Sequence, residues 1–151
     1  MDIGQDSAVQ VLNDLIETTL ESAQGYGEAA ETACDGRLRS LFAERSRRRL
    51  AVARRLQQEA RTFGPAASDP AEAPRKVAEC FGGLKTALQG GRGQSAVIDE
   101  VERGEAAIMG RFEDALQTAD LSDCAREAVS LAYEAIRADQ DDIGRHRQAV
   151  H

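Results

Sequence analysis

The chain has 151 residues, a formal net charge of −7 and only 4% aromatic residues. That length suits one domain with a sizeable core, and that charge excludes a generic polyanion binder. No apolar run approaches the ~20 residues that span a bilayer, and the acidic stretch Met1 to Asp6 has no basic region followed by an apolar one, so no signal peptide is expected.

The first periodic segment covers about residues 6–34. Leu12, Ile16, Thr19, Ala23, Tyr26 and Ala30 form one stripe, and Glu17, Glu21 and Glu28 fall opposite it as solvated charge. Asp6 or Ser7 is the expected cap, and Asp35-Gly36 separates this helix from the next. The second segment covers about residues 37–63. Its stripe is Leu38, Phe42, Val52, Leu56, Ala60 and Phe63, and Arg45 and Arg49 hold the stripe positions between Phe42 and Val52. Nine arginines stand against Glu44 and Glu59 in this segment. They read as a solvated face neutralised by the acidic first helix, with a nucleic-acid surface as the alternative.

Gly64-Pro65 ends that helix, and a polar connector follows to Pro74. A shorter helix is expected over about residues 75–89, with Val77, Phe81, Leu84 and Leu88 on one side. The glycines at 90, 91 and 93 break it; they lack the spacing of a phosphate-binding loop. The next helix spans about residues 94–118. Ile98, Glu105, Phe112 and Ala119 recur every seven residues, flanked by Val101, Ile108 and Ala115. Seven-residue recurrence keeps side chains on one helix face, so Glu105 takes a core position. A carboxylate there must be paired, protonated or bound to metal. The last helix, about residues 122–149, is capped by Ser122 or Asp123 and carries Leu121, Ala125, Val129, Ala132, Ile136 and Ile143 on its stripe, with Asp139 and Gln140 interrupting the edge.

No alternating strand pattern occurs. Two short turns imply two antiparallel hairpins, and about thirty residues between them can carry the chain along the bundle. The expected fold is all-α: a single ferritin-like four-helix-bundle domain over residues 1–151, with a long crossover carrying a short extra helix. Thr19, Arg45, Arg49, Glu105 and the Asp139–Gln140 pair then form one polar layer at mid-height.

Four stretches carry a family resemblance: Val11-Leu12-Asn13-Asp14-Leu15-Ile16-Glu17, Gly25-Tyr26, Gly83-Leu84-Lys85-Thr86-Ala87-Leu88 and Val101-Glu102-Arg103-Gly104-Glu105. In these the chain resembles the bacterial ferritin-like four-helix-bundle proteins of unknown function. The resemblance implies a ferritin-like bundle and no settled activity. Ferritin-like carboxylate sites use a Glu from two helices and Glu-x-x-His from the other two. This chain has no Glu-x-x-His, and its histidines are His146 and His151. It has Gln24 and Gln140 where the family pattern has an acidic residue and a histidine, and an amide is a poor ligand for iron or zinc.

Glu105 therefore has three readings: a pair with Arg49 or Arg45, an edge position reaching water, or a residual metal ligand with Glu102, Asp139 or Asp142. Arginines at the same height would repel a cation. Asp142 and His146 are four apart and suit a surface pair. Cys34, Cys80 and Cys124 are widely spaced, with no CxxC, and read as reduced thiols of a cytoplasmic protein. The leading expectation is a metal-free, non-enzymatic bundle that associates with itself, as a dimer through faces bearing Leu20, Val52 or Tyr133. The alternatives are an iron or manganese carboxylate protein and a nucleic-acid-associated bundle.

Overall fold

The computed structural model describes residues 3–33, 35–62, 94–117 and 121–150, with side chains for 10–33, 35–62, 96–117 and 121–141. Four helices account for nearly all of them: α1 (Ile3–Thr32), α2 (Gly36–Arg61), α3 (Gln94–Gln117) and α4 (Asp123–Val150). The described residues contain no strand. The expected helix over 75–89 lies outside them.

Helix ends follow local chemistry. The Asp35 side chain accepts from the backbone N–H groups of Arg37 at 2.7 Å and Leu38 at 3.2 Å, so it caps α2, and Gly36 is the first residue of that helix. Ser122 Oγ accepts from Ala125 N at 3.2 Å and takes the same role for α4. α1 begins upstream of Asp6 and Ser7, the expected caps. Acidic side chains are favoured in a first turn as well as at a cap, so Asp6 does not stop the helix from starting earlier.

The helix directions follow from side-chain contacts. Ser46 Oγ of α2 donates to the Ala23 carbonyl of α1 at 2.7 Å, and Arg39 reaches the Ala33 carbonyl, so α1 and α2 are antiparallel. A Cβ added at Gly27 would stand 3.4 Å from Ser46 Oγ, an ordinary van der Waals contact, so the spacing of the two helices does not depend on this glycine. Arg111 of α3 donates to Thr18 Oγ1 of α1, while Tyr26 donates to Glu105, so α3 also runs against α1. Tyr133 of α4 donates to Glu113 of α3, and Asp139 lies at the level of Glu105, which makes α4 antiparallel to α3. α2 and α3 are thus parallel. The chain leaves α2 at one end and enters α3 at the other, a traverse of roughly 39 Å for a 26-residue helix. That is the one-crossover order expected from the length of the connection.

The core is the meeting of four apolar stripes. Leu12, Ile16, Tyr26, Phe42, Leu56, Ile98, Ile108, Phe112 and Ile136 are each no more than 2% exposed. In α2, Val52 is half-buried and Ala53 takes the inward position, because burial there follows Phe42, Arg45, Arg49, Ala53 and Leu56 in steps of three and four. Glu21 also departs from expectation: it is 9% exposed rather than solvated. It lies one turn after Thr18, whose hydroxyl receives Arg111, and so shares the face turned to α3.

Candidate functional site

The largest side chains with almost no exposure are two arginines, Arg45 at 1% and Arg49 at 0%. Both belong to the inward stripe of α2, where a long cationic side chain has no route to water. Each therefore needs an anion within the bundle. Among the described residues Glu105 of α3, 0% exposed, and Asp139 of α4, 4% exposed, meet them.

Arg49 is the hub. Its Nη2 donates to Glu105 Oε2, and its Nη2 and Nε reach Asp139 Oδ2 at 3.2 and 3.3 Å. Asp139 Oδ1 also accepts from Arg48 Nη1 at 3.1 Å and lies 4.0 Å from Arg45 Nε. Arg48 is half exposed; its stem runs along the bundle surface, and its other amino group pairs with Glu44 at 2.8 Å. The second oxygen of Glu105 accepts from the Tyr26 hydroxyl at 2.7 Å. The Tyr26 ring faces both guanidinium groups, with Arg45 and Arg49 Cζ at 5.8 and 5.6 Å from its centroid, within cation–π range. Phe42 packs on the same ring at 5.9 Å. The buried set of two arginines and two carboxylates sums to zero charge.

The protonation states follow. Burial alone works against the charge on Arg49, but the carboxylate of Glu105 and its hydrogen bond more than offset this, so the group holds its proton more tightly than a free arginine. Burial is also the main force on Tyr26. With the adjacent charge of Glu105 it raises the phenol well above its usual value, against the opposing pull of Arg49 and Arg45. A folded-state value above the unfolded one means stability is fully present below the unfolded pKa and is lost as pH rises beyond it. Tyr26 should therefore ionise only together with alkaline unfolding. In a tyrosinate absorbance titration one of the two tyrosines should ionise in folded protein and the other only with loss of helix, and both ionising in folded protein would refute this. Tyr133 is the other tyrosine, raised mainly by its bond to Glu113 but standing at the surface, free to ionise without unfolding.

The structure gathers Arg45, Arg49, Glu105 and Asp139. It does not bring in the rest of the expected layer. Thr19 is buried, but its hydroxyl donates to the Leu15 carbonyl of its own helix at 2.7 Å. Gln140 is half-buried rather than part of the buried layer, since the inward sequence of α4 runs Val129, Ala132, Ile136, Asp139. Glu102 is half-buried, one turn before Glu105. The side chains of Asp142 and His146 lie outside the described residues. Among the described residues no group of three or more His, Cys, Asp or Glu is placed to hold a metal ion. A metal pair of the ferritin kind does not fit at the centre, because both carboxylates there are engaged by Arg49, which cannot ligate and repels a cation.

Two members of the site, Tyr26 and Arg48, are not among the residues expected in the polar layer. Tyr26 reads as ordinary core, although a buried phenol has to find a hydrogen-bond partner, which is a legible signal. Arg48 lies off the stripe, and nothing in the periodicity marks it.

These features define an all-α four-helix bundle with a buried ionic and aromatic layer at mid-height. The chain belongs to the family described as a domain of unknown function (DUF2383), whose model matches residues 7–118. The match includes Tyr26, Arg45, Arg49 and Glu105 and ends before α4, so Asp139 lies beyond it. A comparison with curated proteins gives no match.

Proposed function

We propose that this protein is a metal-free bundle of the ferritin-like type, without enzymatic chemistry at its centre, that works by association with itself. The observation that carries the reading is Arg49, fully buried and bonded to both central carboxylates, at the position where a carboxylate-bridged metal pair would have to lie. The parallel arrangement of α2 and α3, with the chain crossing between them, supports the ferritin-like affiliation. The exposed free thiol of Cys124 supports a reducing, cytoplasmic setting, and no described helix is long and apolar enough to cross a membrane.

Two measurements test it together. Elemental analysis of protein purified without chelator is expected to find no stoichiometric iron or manganese. Light scattering at micromolar concentration and low salt is expected to give twice the chain mass. Stoichiometric metal that disappears on Glu105→Ala would restore a metal-handling function, and a monomer mass at all concentrations would remove self-association.

A further inference from the structure

α1 holds six acidic residues and no basic one, whereas α2 beside it holds nine arginines and two glutamates. The simplest outcome would be mutual neutralisation across the hairpin, but the observed ion pairs of α2 run to α3, α4 and its own Glu44. Arg45, Arg48 and Arg49 turn to α3, α4 or Glu44, and among the described residues Asp14, Glu17, Glu31, Arg47, Arg54 and Arg61 have no ion-pair partner. Arg47, Arg54 and Arg61 recur every seven residues and are exposed, so they form one ridge along the outside of α2. Asp14, Glu17, Glu28 and Glu31 line the outside of α1. Between the two ridges runs a groove of about 400 Å³ with Leu20, Ala23, Gly27 and Leu50 on its walls.

We propose that a second copy of this chain docks on this outer α1/α2 face, about a two-fold axis parallel to the helices, so that α2 of each copy lies over α1 of the other. The inference rests on the self-association proposed above and names its surface. Charge selects the axis. A two-fold across the helices would set α1 on α1 and α2 on α2, like charge on like, whereas the axis along them sets every arginine ridge on an acidic one. The same axis keeps heights. In the antiparallel hairpin Ala23 is level with Ser46, so Arg54 of one copy falls opposite the Asp14–Glu17 turn of the other. The size is adequate. A hairpin roughly 39 Å long and about 20 Å wide offers about 800 Å² per copy, the standard for a stable interface.

The test is a charge exchange followed by sedimentation. Arg47→Glu with Arg54→Glu makes one variant, and Asp14→Arg with Glu17→Arg makes the other. Circular dichroism confirms that both fold. Each variant alone is expected to be monomeric, and an equimolar mixture is expected to form a heterodimer, because mixing restores opposite charges at both halves of the contact. The wild-type dissociation constant should rise about tenfold between low and high salt. A wild type that is monomeric at low salt overturns this inference together with self-association itself. A wild-type dimer that tolerates both charge variants but dissociates on Leu131→Asp, at the exposed leucine beside α2 on α4, leaves self-association standing and overturns this face. Retention of short duplex DNA by the wild type, abolished by Arg47→Glu with Arg54→Glu, also overturns it and assigns the ridge to nucleic acid.

Discussion

Glu105→Ala should lower the unfolding free energy by about 3–5 kcal/mol. The substitution removes the anion that meets Arg49 in a position where both side chains are 0% exposed. It also removes the acceptor of the Tyr26 hydroxyl. Asp139 still reaches Arg49, but it is already shared with Arg45 and Arg48, so it cannot replace a whole carboxylate. Natural domains have only about 5–15 kcal/mol in hand. For a chain of this size the loss corresponds to a fall in Tm of roughly 6–20 °C. Glu105→Leu combined with Arg49→Leu should cost far less than the sum of the single changes, because neither charge is left alone and Asp139 retains Arg45 and Arg48. The same cycle with Arg45 should show weaker coupling, since Arg45 faces Asp139 rather than Glu105. Denaturant midpoints for the singles and doubles decide the matter. Additive effects for Glu105 with Arg49 would mean that the two groups do not act as a pair.

The architecture was legible because helix burial repeats with the geometry of the helix. Thr19, Tyr26, Phe42, Ile98, Val101, Phe112, Val129 and Ile136 all occupy the inward face that spacing assigns them. The interruptions at Arg45, Arg49 and Glu105 were legible for the same reason, since a charge on an apolar stripe has a definite address. Where a stripe slips between steps of three and four, spacing cannot choose between neighbours. Val52 against Ala53 and Asp139 against Gln140 are both of this kind, and in both the packed helices decide. Contacts that depend on the reach of a long side chain are less legible still. Arg48 belongs by sequence to the solvated face, yet its guanidinium reaches Asp139. Thr19 belongs by sequence to the layer, yet its hydroxyl is satisfied by the carbonyl oxygen one turn back in its own helix.

The two halves of the Arg49–Glu105 pair should respond to pH in opposite fashion when the other half is removed. In Glu105→Ala the stranded group is a guanidinium, which stays charged throughout the accessible range. Its cost relative to wild type should be nearly constant between about pH 5 and 8. In Arg49→Leu the stranded group is Glu105, fully buried, with only the Tyr26 hydroxyl still bonded to it. Burial without a cation raises a carboxyl pKa above its unfolded value of about 4.3. A group raised in the folded state contributes stability that is complete below the unfolded pKa and is lost as pH rises through the folded one. Arg49→Leu should thus be mildest near about pH 5, where Glu105 takes up a proton and remains a neutral partner to Tyr26. Its deficit should then grow toward about 3–5 kcal/mol as neutral pH forces the choice between a proton and a buried charge. Unfolding free energies of the wild type and both variants, measured at matched pH values, separate the two behaviours. Parallel curves would show that water reaches Glu105 once Arg49 is gone, and that the layer is less sealed than its burial indicates.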